Sequence, residues 1–465
     1  MMKPVESHAN PSTEYVDISS VTKNEKILFD LKLSKGLRKY FFKTKFQIEY
    51  DTKIECDSSI SQIPALSLVA PVAWARGADI ILDRADEAHL NTLQNIRKIL
   101  ESWHPQFVSN SQIRAANIVN NKFHNGKCGV LFSGGLDSLT AYLRNRAEHP
   151  TLITLLMNED RYLSYYNNLK TAFQQFATHQ GNNIHFIRTD IWNGTNNVIN
   201  NMSLADDFGL PAWWRTVSLG LVTLGLCAPL TASAGIGNVR FASAFHDKHA
   251  VTDGSFYLSK TEFCWADIKA IHDSTDLTRQ QKIRYFLKGH TDLYKYLLVC
   301  NNLGTHPTPS SKPYPENCGY CEKCLRTITG LILEGIDPVQ CNFVVNDDIL
   351  SFIRHAITSG SLNLTEDNAL FWQDIQELTF DPKADFNDEI GQKYSAREFF
   401  DWFKNFNMDN YKQNRLNLLR SEFYFSLKHK GIQHALKRTM QYVARRSRRK
   451  IYNKENQIRE SPACA

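Results

Sequence analysis

The sequence predicts an α/β fold with a mostly parallel sheet that is covered by helices on both faces. Between about residues 125 and 245, short apolar strand-like runs alternate with helical patterns. This alternation is typical of βαβ units, whose strands are parallel and buried. A small α+β region is expected before this part and a helical region after it. We therefore divide the chain into residues 1–120, 121–345 and 346–465.

The central strand ends in the stretch 128–138, Cys-Gly-Val-Leu-Phe-Ser-Gly-Gly-Leu-Asp-Ser, and a helical pattern begins there. Periodicity predicts strands at 152–157, 184–187 and 239–244, and helices at 163–178 and 212–230. Ligands of such sheets bind at the carboxyl ends of strands. The polar residues that follow Phe245 are therefore expected to line the same cleft, with an exposed loop as the alternative. They are His246, Asp247, Lys248 and His249.

The glycine loop has the features of a phosphate site. Gly134 and Gly135 let the backbone turn sharply and approach a ligand closely. The N–H groups of such a loop and the positive end of the following helix attract an anion, and Ser133 and Ser138 add hydroxyl donors. Asp137 either caps the helix or holds a Mg²⁺ ion that the phosphates share. A tight turn that only caps a helix is the alternative.

Clustered cysteines predict a metal site. Cys318, Cys321 and Cys324 are each separated by two residues, and Cys300 lies upstream. Four such thiolates form a closed tetrahedral site, which favours structural zinc over catalytic zinc. His306 competes with Cys300 as the fourth ligand, and an iron–sulfur cluster is the alternative occupant.

The flanking regions show no catalytic motif. Before residue 120 we expect β structure within 26–54, strands at 66–70 and 78–82, and a helix at 88–103. This region could pair with the main sheet, bind substrate or form the interface of a homodimer. After residue 346 we expect amphipathic helices at 349–357, 370–378, 396–406 and 416–427.

Charge and composition restrict the classes of partner. The net charge of the 465-residue chain is +6, and residues 437–459 carry nine basic residues against two acids between 437 and the end. The rest is close to neutral, which does not favour a nucleic-acid-binding face on the catalytic part. We interpret the basic tail as a solvated helix end, with an acidic partner as the alternative.

The location of the chain is predicted from its apolar runs and cysteines. The uncharged run 216–239 is interrupted by glycine and proline, so we expect a buried helix and a loop rather than a membrane span. Ten cysteines without a recognisable secretion signal indicate a reducing compartment, and we expect a cytoplasmic protein.

Ser-Gly-Gly-Leu-Asp-Ser at 133–138 resembles the SGGxDS signature of the PP-loop ATP pyrophosphatases, the adenine nucleotide alpha hydrolase-like superfamily. Arg215, Cys300 and the 318–324 motif, which is followed by Leu325-Arg326, add a similar order and spacing. Over residues 125–340 the chain is thus similar to the 7-cyano-7-deazaguanine synthase family.

This resemblance implies a Rossmann-like sheet, a structural zinc site, and ATP and Mg²⁺ as cofactors. The implied activity is that of a C–N bond-forming ligase, as in queuosine synthesis. Such a ligase splits ATP into AMP and pyrophosphate and activates a carboxylate or amide for attack by ammonia or an amine. The residues that would contact the nucleotide are Ser133, Gly134, Gly135, Leu136, Asp137 and Ser138. The catalytic residues would be Asp137, Ser133 and Arg215.

Basic residues near two helix starts extend the predicted site. Arg215 opens the long uncharged helix, where an arginine opposes the helix dipole unless an anion lies nearby. Its counterpart in the resembling family is implied to contact phosphate. Arg279 and Lys282 could neutralise departing pyrophosphate, but we favour a solvated helix face for these two.

The substrate stays open. At 157–161 the sequence is Met-Asn-Glu-Asp-Arg, without the aromatic-Gly-Gln sequence of the resembling family. The resemblance is therefore extended to ATP and metal chemistry, and the acceptor is a small-molecule or macromolecular carboxylate. Two other classes fit the loop: a protein that binds ATP without turnover, as a regulator or scaffold, and a PP-loop enzyme of the tRNA-thiolation type.

Overall fold

The computed structural model describes residues 14–107, 109–157, 163–191, 197–242, 244–249, 251, 254–300, 314–362, 364–381, 386, 388–408, 411, 414, 417 and 420. The chain divides into two compact units. The first extends to Leu298 and includes Tyr314 and Pro315. The second contains Val299, Cys300 and the described residues from 316 onwards.

The described strands of the first unit form one eleven-stranded sheet in the order β10-β11-β9-β6-β7-β8-β3-β2-β1-β4-β5. The strands are β1 Tyr15–Lys23, β2 Lys26–Leu33, β3 Lys45–Tyr50, β4 Asp79–Asp86, β5 Ile113–Val119, β6 Lys127–Leu131, β7 Thr151–Met157, β8 Ile184–Thr189, β9 Ile236–Ala242, β10 Phe263–Trp265 and β11 Ile268–Asp273. Strands β11, β9, β6, β7 and β8 are parallel, as are β1, β4 and β5. Antiparallel pairing joins β10 to β11, β8 to β3, β3 to β2 and β2 to β1. The prediction of an α/β fold with a mostly parallel sheet is confirmed, and the sheet contains strands from both sides of residue 120.

The central strands are covered on both faces. Val130 and Leu131 are consecutive in β6 and both are buried, and the same holds for Leu152 and Ile153 in β7. Neighbouring residues of a strand point to opposite faces, so continuous burial means that neither face is open to solvent. The strands appear in the sequence as continuous apolar runs because both of their faces are buried.

Helices and short helical turns connect the strands. The α-helices are α1 Ser58–Ser61, α2 Ile63–Arg76, α3 Glu87–Trp103, α4 Leu136–Arg144, α5 Leu163–Gln180, α6 Asn201–Asp207, α7 Leu219–Ala234 and α8 Arg279–Lys282. The 3₁₀ turns are Lys35–Tyr40, Pro105–Phe107, Arg146–Glu148, Phe256–Ser259 and Thr291–Tyr296. The π-helical turns are Trp214–Ser218, which leads into α7, and Ile283–Leu287, which follows α8.

The strand predicted at 66–70 is wrong, because these residues lie in the middle of α2. Every residue of α2 from Ile63 to Trp74 is buried, so its apolar positions show no helical period. A short run of this kind cannot be distinguished from a buried strand by pattern alone. Pro64 lies in the first turn, where its missing N–H is tolerated, and Pro71 lies inside the helix.

One helix among the described residues, Trp214–Ala234, is long and apolar enough to cross a membrane by length and composition. Within its most apolar window, 78% is buried inside the protein. Core helices pass the same length and composition test, so the finding is weak evidence for a membrane span.

The second unit contains mainly helices among its described residues. They are α9 Glu322–Leu333, α10 Ile349–Thr358, α11 Glu366–Leu378, α12 Glu389–Lys393 and α13 Ala396–Asn405, with a 3₁₀ turn at Pro338–Cys341. Three of the helices predicted here correspond to α10, α11 and α13. Most of the helix predicted at 416–427 and the whole basic tail at 437–459 lie outside the described residues.

Candidate functional site

The glycine loop follows β6, the strand at which the order of strands along the chain changes direction across the sheet. From β6 the chain moves to β7 and then β8 on one side, and it returns to β9 on the other side of β6. The carboxyl ends of β6 and β9 therefore border a topological switch point. Ligands of open α/β sheets bind in the crevice outside such a point.

Gly134 occupies a conformation and a space that exclude other residues. Its φ angle is +70°, in the left-handed region, and a Cβ atom there would lie 3.0 Å from the Phe173 ring and 3.2 Å from the carbonyl oxygen of Tyr296. The N–H of Leu298 donates to the Gly134 carbonyl at 2.8 Å. The turn is thus fixed from outside the loop, and its sharpness depends on glycine.

The two serines close the loop on itself. The Ser133 N–H donates to Ser138 Oγ at 3.2 Å, the two hydroxyl oxygens are 3.2 Å apart, and Ser138 Oγ donates to the Gly135 carbonyl at 3.0 Å. The N-cap of α4 is Gly135, so no side chain caps this helix. Leu136 and the residues after it therefore present first-turn N–H groups without a capping side chain, at the positive end of the helix dipole.

Of its two predicted roles, Asp137 does not take that of a helix cap. It lies in the first turn of α4. One carboxylate oxygen accepts from Arg279 Nη1, and the other accepts from Lys282 Nζ at 3.1 Å. Both cationic side chains are buried, Arg279 at 8% and Lys282 at 0% exposure. The solvated helix face favoured for these residues from sequence is therefore wrong.

The local structure of α8 explains how two cations meet one carboxylate. Thr278 caps the helix and forms a reciprocal capping box with Gln281, which fixes where the first turn begins. Arg279 and Lys282 are three residues apart, so they lie on the same face. Burial lowers the pKa of Lys282, and the neighbouring Asp137 carboxylate opposes this shift.

A buried carboxylate, Asp273, is the last residue of β11. Its Oδ2 accepts from Asn145 Nδ2 at 2.9 Å, and its Oδ1 accepts from Ser274 Oγ at 2.6 Å. Arg144 Nε lies 3.6 Å from the same Oδ1. Arg144 also forms an ion pair with Asp276. These contacts tie the C-terminal end of α4 to the segment between β11 and α8.

The polar loop after β9 is held at the same edge of the sheet. The Asp247 N–H donates to the Thr275 carbonyl at 2.8 Å, and the Thr275 hydroxyl donates to Asp247 Oδ2 at 2.9 Å. Further along this loop, the Gly254 N–H donates to the Arg215 carbonyl at 2.7 Å and the Gly254 carbonyl accepts from the Gly220 N–H at 2.7 Å. The backbone N–H and C=O of one residue, Gly254, are thus inserted into the backbone ladder where the π-turn enters α7. Such π-turns are frequent at functional sites.

Arg215 lies in this π-turn and is half-buried. A helix that connects β8 to the parallel strand β9 begins at the carboxyl edge of the sheet. The fold therefore places the start of this helix, which includes Arg215, at the same edge as the Ser133–Ser138 loop.

The sequence did not single out His272. Neither ring nitrogen of His272 has a hydrogen-bond partner among the described residues, and both are shielded from solvent. The ring stacks on Phe241 at 5.7 Å. Burial lowers the pKa of His272 to about 4, so the imidazole is neutral near pH 7. His272 is the next-to-last residue of β11, and a histidine near the end of a parallel strand is a candidate site residue. It was missed in the sequence because β11 was not recognised there as a strand.

The four predicted cysteine ligands converge in the second unit. The sulfur atoms of Cys300, Cys318, Cys321 and Cys324 all lie within 4.8 Å of one another. The separations are 4.0 Å for Cys300 and Cys321 and 3.8 Å for Cys318 and Cys324. Tetrahedral zinc with Zn–S bonds of about 2.3 Å places its sulfurs about 3.8 Å apart. The cluster therefore fits a metal such as zinc, while His306 lies outside the described residues.

The surroundings of the cluster favour thiolates. The Tyr320 and Cys321 N–H groups donate to Cys318 Sγ at 3.4 and 3.3 Å. Cys321 is the N-cap of α9, where the helix dipole stabilises a negative sulfur. A hydrogen bond with Cys300 lowers the pKa of the Cys321 thiol.

Asn317 connects the two parts of the cluster. Its side-chain oxygen accepts from the Val299 and Cys300 N–H groups at 2.8 and 3.1 Å, and its amide donates to the Cys341 carbonyl at 3.2 Å. Asn317 is completely buried. It therefore fixes the backbone of the distant ligand Cys300 beside the 318–324 turn.

Comparisons with known proteins return no relative: no family model, curated protein or solved structure matches this chain.

Proposed function

We propose that this protein is an ATP-dependent adenylating enzyme of the PP-loop ATP pyrophosphatase type, with a Rossmann-like nucleotide domain. The observation that carries the proposal is the uncapped start of α4 behind Gly134, at the switch point of the sheet. A sharp glycine turn and first-turn N–H groups without a capping side chain suit a phosphate chain. Two buried cations beside this turn add positive charge.

The proposed reaction has two displacements. A carboxylate or amide oxygen of the acceptor attacks the α phosphorus of ATP, and the bond from that phosphorus to the bridging oxygen breaks. Pyrophosphate leaves, and ammonia or an amine then displaces AMP with the loss of one proton. Most of the acceleration comes from positioning and from charge neutralisation on the leaving group.

Four residues of the loop and Arg215 would hold the phosphates. The N–H groups of Gly134 and Gly135 and the hydroxyls of Ser133 and Ser138 would donate to phosphate oxygens, with Arg215 at the opening of the long helix. ATP would be supplied with Mg²⁺ in solution. Asp137 fits that ion poorly, since both its oxygens accept from cationic side chains.

The cysteine cluster would hold zinc in a structural role. Four sulfur ligands leave no open coordination position for a substrate, so the metal would stabilise the fold rather than take part in the reaction. Deprotonated cysteines and zinc would together fix the 318–324 turn.

A tRNA-thiolation activity is less well supported, because it needs a reactive cysteine. Outside the cluster, burial raises the pKa of every described thiol, including Cys56 to about 12, as well as Cys128, Cys227, Cys264 and Cys341. Such thiols are weakly nucleophilic at neutral pH. A regulator that binds ATP without turnover would use the same loop and would differ from the enzyme in forming no products.

The test is product analysis with α-labelled ATP and Mg²⁺, with and without a small-molecule extract of the source cells. AMP and pyrophosphate that depend on the extract support adenylation. ADP and phosphate contradict it, and tight ATP binding without products indicates the regulator. Matched Gly134→Ala and Gly181→Ala variants connect the result to the loop, because both glycines have positive φ but only Gly134 has a crowded Cβ position.

A further inference from the structure

The start of α7 is opened at two neighbouring positions by groups from outside the helix. The Gly220 N–H donates to the Gly254 carbonyl, and the Gly254 N–H donates to the Arg215 carbonyl, both at 2.7 Å. The connection from Gly220 to Arg215 is thus made through Gly254 rather than by a direct hydrogen bond. Gly220 is buried, so its N–H needs such a partner.

Tyr257 inserts into the next position of the same ladder. The Leu221 N–H donates to the Tyr257 hydroxyl oxygen at 2.8 Å, and this hydroxyl donates to the Val217 carbonyl at 3.4 Å. A direct bond from Leu221 to Val217 would be the ordinary α-helical bond between residues i and i−4. Tyr257 and Leu221 are completely buried, so bulk solvent offers no alternative partner for these groups.

The close approach of the two segments depends on glycine. A Cβ atom on Gly254 would lie 2.8 Å from the Arg215 carbonyl oxygen and from the Val217 nitrogen. A Cβ atom on Gly220 would lie 2.8 Å from the Gly254 carbonyl oxygen. These are contacts with backbone atoms, which cannot rotate away as a flexible side chain can. The segment 254–257 therefore fits closely against this turn of the helix.

The inserted groups determine the register of the turn that carries Arg215. The turn Trp214–Ser218 is π-helical, and the Leu219 N–H bonds to the Trp214 carbonyl at its end. A π-turn contains one residue more than an α-turn, and one residue of helical register corresponds to about 100° of rotation. If the opened positions closed with ordinary α-helical bonds, the side chains before Leu219 would rotate by about that angle relative to α7. The inserted groups therefore set the direction of the Arg215 side chain.

We infer that Tyr257 is a positioning residue for Arg215: together with Gly254 it holds the start of α7 in the π register in which the Arg215 guanidinium faces the phosphates of the nucleotide. The inference rests on the proposed function, which gives Arg215 its phosphate contact, and deepens it. The segment 254–257 continues the polar loop after β9, which Asp247 and Thr275 hold at the carboxyl edge of the sheet. Tyr257 is shielded from solvent and acts through the helix, without contact to the nucleotide.

The experiment is a double-mutant cycle on the full chain, with ATP affinity measured by calorimetric titration in excess Mg²⁺. Tyr257→Phe is expected to bind ATP about tenfold more weakly, which is about the loss of one charge-assisted hydrogen bond to phosphate. Arg215→Ala is expected to lose at least as much. In the double variant the tyrosine substitution should cause no further loss, because no guanidinium is left to position.

The matched control is another buried tyrosine that bonds to the same helix. Tyr50 is 2% exposed, and its hydroxyl donates to the Leu226 carbonyl at 3.1 Å, beyond the π-turn. Tyr50→Phe removes the same group from α7 and is expected to leave ATP affinity unchanged. Urea unfolding of both variants separates a loss of stability, which both can show, from a loss of affinity, which is expected only in Tyr257→Phe.

Unchanged ATP affinity in a folded Tyr257→Phe protein would overturn the inference, as would a loss that is the same with and without Arg215. If circular dichroism shows that Tyr257→Phe is unfolded, amide hydrogen exchange of the wild type decides instead. Saturating ATP should slow exchange at Gly220 and Leu221 in the wild type and should not do so in Arg215→Ala. Equal exchange rates with and without ATP in the wild type would overturn the inference.

These outcomes are separate from the test of the proposed function. ATP binding with the expected coupling, but without AMP formation, would keep the positioning role and remove adenylation. AMP formation by the wild type, with no coupling between Tyr257 and Arg215, would keep adenylation and remove the positioning role. A wild-type protein that does not bind ATP would contradict both.

Discussion

Replacing Gly134 with alanine tests the central feature of the site. A left-handed φ of +70° costs an alanine about 1 kcal/mol in folding free energy. The added Cβ would also meet the Phe173 ring at 3.0 Å and the Tyr296 carbonyl at 3.2 Å, which requires repacking at about 1–3 kcal/mol. We expect a total loss of ~3 kcal/mol in unfolding free energy for Gly134→Ala.

Function should change more than stability. The turn carries the first N–H groups of α4, and a displacement of about 1 Å in a positioning group can reduce rate about 100-fold. We therefore expect AMP formation from ATP to fall by about that factor in Gly134→Ala. Urea unfolding followed by tryptophan fluorescence measures the first effect, and labelled-ATP product analysis measures the second.

Gly181→Ala is the control for backbone strain alone. Its φ is +68° and nothing lies within 4 Å of its Cβ position, so it should lose about 1 kcal/mol and keep full activity. If Gly134→Ala matched Gly181→Ala in both stability and AMP formation, the crowded turn would have no role in the site. If both variants lost activity equally, general destabilisation would explain the loss.

Three further predictions concern the metal cluster and a buried histidine. Cys318→Ser should lose the bound metal, measured as about one ion per chain by mass spectrometry, whereas Cys341→Ser, a buried thiol outside the cluster, should retain it. Asn317→Ala leaves two buried N–H groups and a carbonyl without their partner, so the metal-loaded protein should lose about 3 kcal/mol of stability in chemical denaturation while retaining metal. The pKa of His272 is lowered from 6.5 to about 4, so the unfolded chain binds its proton first and wild-type stability should fall as pH decreases from 6.5 to 4, by at most about 3 kcal/mol. His272→Gln should reduce this loss in urea titrations across that pH range, and the exposed His124→Gln should not; an unchanged pH slope in His272→Gln would contradict this assignment.

The parts of the fold that sequence predicts well are those with local causes. The turn after β6 follows from two glycines between an apolar run and a helical pattern, and the structure has it there. The cysteine cluster follows from short spacing, since residues 318–324 need only one turn to converge. Even Cys300, which is distant in sequence, was correctly included because a closed tetrahedral site needs a fourth ligand.

The parts that could not be predicted depend on strand order. Asp137 is more than 140 residues away in sequence from its partners Arg279 and Lys282. They meet because β11, the strand that precedes α8, pairs with β9, and β9 pairs with β6, the strand that leads into α4. The short strand β11 was not recognised in the sequence. A basic helix start without a known neighbour is most often solvated, which explains the wrong expectation.

The buried helix α2 shows a different limit. Periodicity exists only when one face of a helix contacts solvent, and α2 contacts solvent almost nowhere before Ala75. The same reason makes the helix at Trp214–Ala234 resemble a membrane span by composition. An apolar run in the sequence therefore indicates that the segment is buried. Whether the segment is a helix or a strand is decided by the elements that pack against it.

The two parts of the proposed nucleotide site, the Ser133–Ser138 loop and the cations Arg279 and Lys282, are stabilised by different interactions. The Ser133–Ser138 loop is stabilised by its own hydrogen bonds and by the Leu298 N–H, so loop substitutions should act directly on phosphate contacts. The cations are positioned through Asp137 and through the end of β11, so changes there should act on charge rather than on backbone shape. Adding salt screens charge and leaves the shape of the glycine turn unchanged. A nucleotide affinity that decreases with salt in wild type, and decreases less in Arg279→Gln, would separate these two contributions within one binding site.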